Sequence, residues 1–463
     1  MHPAGSAPGR PGWLTPADPG FAAALRGPGP NELRPSRHPA AIVAPRSIPA
    51  VQAAVRGAGD AGRRVAVRSG GHSWVASSVR DDSVLLDLAA LDQVIIDHTA
   101  RTARIGPGAT TRTVTRELAR AGLAFPVGHC GGPGVGGYLL GGGIGLNWIQ
   151  WGPACDWVQG VHAVTADGEH VHSDADERPD LLWLARGSGP FFPAVATAFD
   201  VALTALPTDT RVSRWTFDLD RIEDVTRWVA ACAPQVGDNV EITVAIDGPG
   251  RALLPPSSGV PNHVLRVTAT AFAHDDQAPA ALGALREPPP VTPLAQEIDV
   301  PVPFEELHLA VDAGFPAGHR YLVDTFWIDG DVHTALASVA ELAEQAPAAK
   351  TRIHTIVTDN RRRPNASPDR GAFTRDSRTL VVAYLAWPDA ADDATNRTWL
   401  GQLSDQLAPV TCGHFISEAD LTRTSGRAEG SFRPGAWERL RALRRTWDPG
   451  GRLHGEPGPT DLR

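Results

Sequence analysis

The chain has 463 residues, of which 42% are hydrophobic and 21% charged, and its formal net charge is −9. This length exceeds what one hydrophobic core usually serves, so we expect two folded domains. The acidic balance and the mixing of both charge signs exclude nucleic acid as an expected partner. No leader-like or membrane-spanning apolar run is seen, so we expect a soluble, cytoplasmic protein that binds no membrane. The abundance of Gly and Pro, with Arg in place of Lys, favours an actinobacterial source.

The cysteines show neither CxxC pairing nor regular spacing. In a chain of this size that pattern argues against a disulfide framework and against a structural zinc site, and we predict no metal site. Each cysteine therefore needs its own explanation: Cys130, Cys155, Cys232 and Cys412.

The predicted elements begin after an N-terminal arm, residues 1–35, whose Pro, Gly and Ala content predicts loose order. Helical spacing of apolar residues predicts a helix from Pro49 to Gly62. A strand predicted from Arg64 to Arg68 leads into Arg68-Ser69-Gly70-Gly71-His72-Ser73, which we call the histidine loop. Three short strands and a helix follow: Ser83–Leu88, Gln93–Asp97, Thr102–Ile105 and Thr111–Ala121.

A second glycine-rich segment, Gly128 to Gly145, has ten glycines in eighteen positions around Cys130, and we call it the cysteine loop. Glycine lets backbone N–H groups approach a flat or anionic ligand closely, because no Cβ intervenes. So many glycines would cost backbone entropy unless a ligand or close packing offset it. The two loops together indicate one large cofactor, held at His72 and at Cys130.

Purely structural interpretations of these residues stay open at this point. The glycines could form turns alone, His72 could be a structural histidine, and Cys130 could be a small buried apolar residue. A Rossmann dinucleotide site fits poorly, because these glycines follow no opening strand of a βαβ unit. A hydrolase using Cys155 and His129 is also conceivable, although it would not need the glycines.

After Pro207 separated strand-like runs predict a sheet covered by helices. The runs are Val212–Phe217, Val240–Ile246, Val264–Ala271, His319–Trp327, Lys350–Val357 and Thr379–Ala386. We predict a helix from Asp331 to Ala346 and a proline-rich surface loop from Ala278 to Pro303. A basic helix is predicted from Trp437 to Trp447, with its arginines facing solvent or a phosphate.

The two loops resemble those of the vanillyl-alcohol oxidase and p-cresol methylhydroxylase superfamily, within it the berberine bridge enzyme-like FAD-linked oxidases. The resemblance extends through Gly152–Asp156 and Val164–Gly168, and it reappears at Trp447-Asp448-Pro449. It implies an α+β fold with a two-part PCMH-type FAD-binding domain, residues 36–207 and 413–463. A substrate-binding domain, residues 208–412, would be inserted as an antiparallel sheet covered by helices.

The same resemblance implies that FAD is bonded twice, through its 8-methyl carbon to His72 and through its C6 to Cys130. The other residues that it places at the cofactor come from the two loops and one later strand: Arg68, Ser69, Gly70, Gly71, Ser73, Gly134, Gly136, Gly137, Tyr138, Gly141, Gly142, Gly143, Gly145 and Val164.

The implied activity is oxidation of a C–OH or C–N carbon in a small or medium-sized metabolite, as in secondary metabolism, with O2 reduced to H2O2. The chain departs from the family pattern at Pro133, where oxygen access is set, and at Phe415-Ile416-Ser417, where the family has Tyr-x-Asn. Two other functions therefore stay open, a flavin dehydrogenase with another electron acceptor and a non-redox flavoprotein cyclase.

The motif does not supply the catalytic base. Strand alternation puts His354 on one face with its neighbours two residues away, and Tyr321 lies on another strand of the same predicted sheet. We name Tyr321, His354 and Asp359 as candidates for the base. The sequence leaves the substrate and the oligomeric state open.

Overall fold

A computed structural model describes residues 12–249, 263–357, 369–373 and 379–455. Asp359, one of the predicted bases, lies outside the described residues. Among the described residues, no helix combines the length and the apolar character needed to cross a bilayer.

The first half of the chain forms two main sheets. One sheet has the order β1-β2-β4-β3, with β2, β4 and β3 parallel, and the other has the order β5-β6-β10-β8-β9, all antiparallel. The strands are β1 (Trp13–Leu14), β2 (Ala41–Val43), β3 (Val65–Arg68), β4 (Val84–Asp87), β5 (Val94–Asp97), β6 (Thr102–Ile105), β7 (Leu123–Ala124), β8 (Val158–Val164), β9 (His170–Ser173), β10 (Val195–Ala202) and β11 (Thr204–Ala205). The helices are α1 (Phe21–Arg26), α2 (Ile48–Asp60), α3 (Thr111–Arg120), α4 (Val135–Leu140), α5 (Trp148–Trp151) and α6 (Pro179–Ala185).

The N-terminal arm is more ordered than its composition predicts. From residue 12 it contributes β1, which pairs with β2, and helix α1. The side chain of Asn31 donates to the carbonyl of Tyr321 at 3.0 Å and accepts from the backbone N–H of Tyr321 at 2.8 Å. Because these contacts join segments far apart in the chain, local propensity could not reveal them.

The middle of the chain builds one antiparallel sheet of eight strands in the order β15-β12-β14-β13-β17-β18-β16-β19. Its strands are β12 (Asp209–Asp218), β13 (Val240–Asp247), β14 (Val264–Ala273), β15 (Ala295–Pro301), β16 (Arg320–Ile328), β17 (Arg352–Val357), β18 (Thr379–Trp387) and β19 (Thr411–Gly413). Its helices are α7 (Ile222–Cys232), α8 (Ala278–Ala281), α9 (Leu307–Asp312), α10 (Val332–Ala337), α11 (Ala340–Glu344) and α12 (Asp393–Leu407).

The two faces of this sheet have different partners. On one face alternate residues such as Phe217, Val244 and Val381 pack with α7, α10 and α12 in the largest core. On the other face Ile356 and Val382 pack with residues that follow the cysteine loop, among them Trp148. This second face closes the cleft at which the two halves of the molecule meet, and the arrangement confirms the predicted α+β fold with an inserted, helix-covered sheet.

Two predicted elements of the inserted part are wrong in detail. The proline-rich stretch 278–303, expected as a surface loop, contains the edge strand β15, which pairs with β12. Four of its seven residues are exposed and the other three are only partly buried, so no alternation of buried and exposed residues marks it. The single helix predicted from Asp331 to Ala346 is broken into α10 and α11.

The chain returns to the first half in helix α13 (Ala436–Trp447). Leu440 of this helix is fully buried in the core around β8 and β10. Arg444 donates to the carbonyls of Phe191, at 2.9 Å, and Leu453, and Arg439 lies 4.4 Å over the Trp183 ring. Arg444 therefore holds protein groups rather than solvent or a phosphate, whereas Arg439, Arg441 and Arg445 are exposed, as a solvent-facing helix would have them.

Candidate active site

The histidine loop and the cysteine loop touch through bare backbone. A Cβ added at Gly70 would lie 2.2 Å from the Gly134 nitrogen, and one at Gly134 would lie 2.6 Å from the Gly70 nitrogen. Such distances leave no room for a side chain on either residue. The hydroxyl of Ser69 donates to the Pro107 carbonyl and fixes the start of this contact.

The imidazole of His72 lies against the cysteine loop. A Cβ at Gly132 would be 2.7 Å from His72 Cε1 and 2.9 Å from its Nε2. Gly132 is the second residue after Cys130, so the two predicted attachment residues are brought together. Burial lowers the pKa of His72, although the nearby Asp312 carboxylate acts in the opposite direction. The ring is therefore neutral at pH 7 and keeps a free lone pair.

Cys130 is partly buried and carries a thiol that holds its proton strongly. Burial, followed by the negative charges of Glu418 and Asp312, raises the pKa of this thiol far above its ordinary value. Asp312, at the end of α9, accepts from the Gly131 N–H at 2.9 Å and from Arg112 at 2.8 Å. A carboxylate of the inserted domain thus holds the cysteine loop beside both attachment residues.

The side chain of Tyr138 packs inside the cysteine loop. Its hydroxyl donates to the Pro126 carbonyl at 2.8 Å. A Cβ at Gly145 would lie 2.3 Å from this hydroxyl oxygen, and one at Gly143 would lie 3.0 Å from the ring. These glycines are needed for the tyrosine as well as for backbone exposure. Contact of Tyr138 with FAD stays a prediction.

One buried hydroxyl supports the fit of a cofactor at this place. Ser417 Oγ is buried and has no hydrogen-bond partner among the described residues. A Cβ at Gly141 would lie 1.7 Å from it, so the hydroxyl faces the glycine run. Buried polar groups are nearly always hydrogen-bonded in native proteins. A hydroxyl in need of a partner and a backbone free of side chains fit a flat, polar group such as FAD.

Two residues predicted at the cofactor have side chains committed elsewhere. The guanidinium of Arg68 pairs with Asp87 at 2.6 Å and donates to the carbonyls of Ala24 and Leu25. It ties the N-terminal arm to β3. The Val164 side chain is fully buried in a separate core, which leaves it no surface for a ligand.

The opposite wall of the cleft carries a pair that the sequence did not reveal. The hydroxyl of Tyr384, on β18, donates to Glu418 Oε2 at 2.9 Å, and Trp74 also hydrogen-bonds this carboxylate. Burial raises the pKa of Glu418 and outweighs the opposing effects of Tyr384, His129 and Trp74. The one available signal was position, because Glu418 directly follows Phe415-Ile416-Ser417, where the family pattern is broken.

Aromatic rings surround this pair. The Trp74 ring lies 6.0 Å from the Tyr384 ring, and the Phe315 ring lies 5.2 Å from it, as distances between centroids. Trp74 is two residues after His72, so the aromatic wall starts at the histidine loop itself. Such a wall gives the cleft apolar surface next to one acid–base pair.

The two predicted bases among the described residues, Tyr321 and His354, have different surroundings. Tyr321 is fully buried, and its hydroxyl donates to the Pro316 carbonyl at 2.6 Å, so it is a packing residue rather than a base. His354 is partly exposed and shares its row of the sheet with Ala245 and Val382, on the cleft face. It remains a candidate for contact with substrate.

The alternative hydrolase pair is not assembled. His129 Nε2 lies 2.8 Å from Glu241 Oε1 on β13, and Cys155 is buried with 1% exposure. Burial alone would lower the pKa of His129, but Glu241, with a smaller effect of Glu418, raises it overall. His129 and Glu241 therefore form an ion pair between the cysteine loop and the inserted sheet.

Comparison with known proteins places this geometry in a family. A model of the FAD binding domain matches residues 39–174. The FAD-linked oxidoreductase nodO of Hypoxylon pulicicidum is 30% identical over 435 residues, which covers 92% of each chain. This relative is fungal, so the predicted actinobacterial source has no support.

Solved structures share the whole fold. 6-Hydroxy-D-nicotine oxidase from Arthrobacter nicotinovorans superposes with a TM-score of 0.82 at 23% identity, over 96% of this chain and 97% of that chain. BBE-like 1 of Physcomitrella patens gives a TM-score of 0.82 at 18% identity, over 97% and 96% of the two chains. The solved structures show the shared fold, and the similarity to nodO over most of both sequences shows that the chain belongs to the FAD-linked oxidoreductases.

Proposed function

We propose that the protein is an oxidase whose FAD is attached covalently to both His72 and Cys130. It would oxidise a C–OH or C–N carbon of a small or medium-sized metabolite and reduce O2 to H2O2. The observation that carries this proposal is the contact between the two loops, which sets the His72 ring against Gly132 beside Cys130. When bound, FAD supplies the acceptor for the hydride that leaves the substrate carbon.

The two attachment residues start from different protonation states. The neutral imidazole of His72 already has the lone pair that a nucleophile needs. The raised pKa of Cys130 keeps its sulfur protonated, whereas the thiolate is the reactive form. Glu418, whose charge acts on Cys130 more strongly than that of Asp312, is our candidate to take that proton. We therefore expect the His72 linkage to form more readily than the Cys130 linkage.

The Tyr384–Glu418 pair is suited to remove the substrate proton. As the substrate O–H or N–H gives its proton to the Tyr384 oxygen, the tyrosine proton can pass along the 2.9 Å hydrogen bond to Glu418. A carboxyl whose pKa is raised by burial is a better acceptor for this transfer than one with an ordinary pKa. Trp74 and Phe315 would hold the apolar body of the substrate beside the pair.

Peptide mapping tests the double attachment. The purified enzyme is denatured in acid, and the flavin that stays with the protein is located by mass spectrometry of the yellow peptides. We expect both His72 and Cys130 peptides to carry flavin mass. His72→Ala and Cys130→Ala should each keep one linkage, and the double variant should release all of its FAD. Cys412→Ser, a thiol outside the two loops, serves as the matched control and should keep both.

Release of all the flavin as free FAD from the wild-type protein would overturn the double attachment. Flavin on the His72 peptide alone would overturn the Cys130 half. Neither result would affect membership of the family, which rests on the whole chain.

One observation favours a dehydrogenase with another electron acceptor. The Pro133 carbonyl accepts from the Thr111 N–H at 2.9 Å, and its neighbours are Gly132, under the His72 ring, and Gly134, against Gly70. A rigid proline thus stands at the junction where the resemblance puts control of oxygen access. Rapid mixing of the reduced enzyme with air-saturated buffer decides between the two. Reoxidation within milliseconds to seconds supports the oxidase, and slow reoxidation that Pro133→Val accelerates supports the dehydrogenase.

A further inference from the structure

A cluster of two histidines and an aspartate lies on the five-stranded sheet of the FAD-binding half. His162 of β8 pairs directly with His172 of β9 in the strand register, and Asp200 of β10 pairs with Gly160 of β8. The three side chains come from three adjacent strands and point to the same side of the sheet. They are partly exposed, with side-chain exposures of 15%, 33% and 23%.

The polar atoms of this cluster converge on one point. Asp200 Oδ2 lies 2.9 Å from His162 Nε2 and 3.8 Å from His172 Nε2. One ligand atom from each residue can be chosen so that all three lie within 4.8 Å of one another. Zinc binds imidazole nitrogen and carboxylate oxygen at about 2.0–2.2 Å. A tetrahedral zinc ion with such bonds holds its ligand atoms about 3.4 Å apart, which lies between the 2.9 Å and 3.8 Å observed from Asp200 Oδ2 to the two histidines.

Space for an ion is kept open by Gly160. A Cβ at this position would lie 3.0 Å from His172 Nε2 and 3.4 Å from Asp200 Oδ2. A larger residue would therefore crowd the point at which the ligand atoms converge. Because Gly160 stands in the middle of β8, where glycine weakens a strand, its presence calls for a packing reason or a ligand.

The surroundings supply the outer partners that metal ligands usually have. Arg104 donates to both oxygens of Asp200, to Oδ1 at 2.7 Å and to Oδ2 at 3.3 Å, which fixes the carboxylate with Oδ2 on the side of the histidines. His172 Nδ1 lies 3.7 Å from carboxylate oxygens of both Asp174 and Glu177. Ligand histidines commonly direct their second ring nitrogen to a carboxylate, and ligand carboxylates are themselves hydrogen-bonded.

We propose that His162, His172 and Asp200 bind one zinc ion, with the fourth position open to water. Two imidazoles and one carboxylate are a donor set that suits zinc. The sequence predicts no metal site because the three residues are 10 and 28 positions apart, and the strand register alone unites them. Bound zinc would tie β8, β9 and β10 together and stabilise the FAD-binding half.

Zinc titration of the holoenzyme tests the site. The protein is treated with a chelator, passed through a gel-filtration column and titrated with ZnCl2 in a calorimeter. We expect one zinc ion per chain and a rise in Tm with zinc, because the ion binds the folded state. His172→Ala should weaken binding by about 100-fold or more, and Glu177→Gln, which changes an outer partner, by about tenfold. His98→Ala, an exposed histidine near the same sheet, should bind zinc as the wild type does.

Two results would overturn the proposal. One is a wild-type protein that takes up no zinc at millimolar concentration, in which case Asp200 serves Arg104 and His162 as an ion-pair partner alone. The other is a double variant, His162→Ala with His172→Ala, that binds zinc as tightly as the wild type. The flavin absorption spectrum of each variant shows that the FAD site is intact.

Discussion

The two walls of the cleft are built by different means. The wall formed by the histidine and cysteine loops consists of backbone, and each loop is one continuous stretch of sequence. The opposite wall consists of side chains, and its central pair, Tyr384 and Glu418, joins a strand of the inserted sheet to the segment that follows it. A site made of backbone is visible in the sequence as a run of glycines. A site made of side chains depends on the strand register and on where the chain passes after the inserted sheet.

The largest expected effect is on the backbone wall. Gly70→Ala puts a Cβ 2.2 Å from the Gly134 nitrogen, and the clash between two backbones should cost about 3 kcal/mol or more. We expect the ratio of flavin to protein in the purified variant to fall at least tenfold, measured from the visible absorption spectrum.

Gly430→Ala is the matched control, since Gly430 lies outside the two loops, is exposed, and a Cβ there meets no atom within 4 Å. It should keep the flavin content of the wild type. Equal flavin content in Gly70→Ala and Gly430→Ala would show that the closeness of the two loops is not needed to hold the cofactor.

The same contrast explains what the sequence predicted. The two loops and the helix-covered sheet follow from local signals, namely glycine density and the alternation of apolar residues, whereas FAD as the cofactor follows from the resemblance of the loops to a known family. Glycine density did not show that Gly143 and Gly145 also make room for the Tyr138 ring. The resemblance placed Arg68 at the cofactor, whereas its guanidinium pairs with Asp87 and donates to the carbonyls of Ala24 and Leu25.

The base could not be found in this way. Tyr321 was selected because it lies on a strand of the same predicted sheet. The pattern of the strand does not show that its hydroxyl donates to the Pro316 carbonyl, which lies in a loop. Glu418 follows a stretch in which the family pattern fails, so the motif gave it no role. Its contact with Tyr384 depends on the return of the chain from β19 to the cleft.

The second-largest effect is expected from changing the acid–base pair of the side-chain wall. Glu418→Gln keeps the size of the side chain and removes the proton acceptor, so we expect kcat to fall about 10²–10⁴-fold. Tyr384→Phe, which removes the hydroxyl between substrate and Glu418, should lose a similar factor. The reductive half-reaction measures both, as the rate at which substrate bleaches the flavin without oxygen.

The pH profile separates catalysis from folding. Because the pKa of Glu418 is raised, kcat/KM of the wild type should fall on the acid side as this carboxyl takes up a proton. The acid limb should be missing in Glu418→Gln. An unchanged acid limb in this variant, or a rate near that of the wild type, would remove Glu418 from the reaction.

The smallest effect is expected from weakening a contact between the two walls. His129 of the cysteine loop and Glu241 of the inserted sheet form a largely buried pair, and the pKa of His129 is raised overall. A raised histidine pKa contributes stability that is fully present below the unfolded value of about 6.5 and is lost as the pH rises through the folded value. Glu241→Gln should therefore lower the stability of the holoenzyme by about 1.5–3 kcal/mol near pH 6.

A double-mutant cycle measures this pair without the other consequences of each change. Urea unfolding of the wild type, Glu241→Gln, His129→Gln and the double variant gives the coupling free energy. We expect a favourable coupling near pH 6 that is smaller at pH 9, because the imidazole loses its proton as the pH rises. A coupling that is the same at both pH values would mean that His129 is neutral in the folded protein. His129 and Glu241 would then join the two walls by a hydrogen bond between an uncharged ring and a carboxylate. The contribution of this pair to the stability of the protein would not depend on pH.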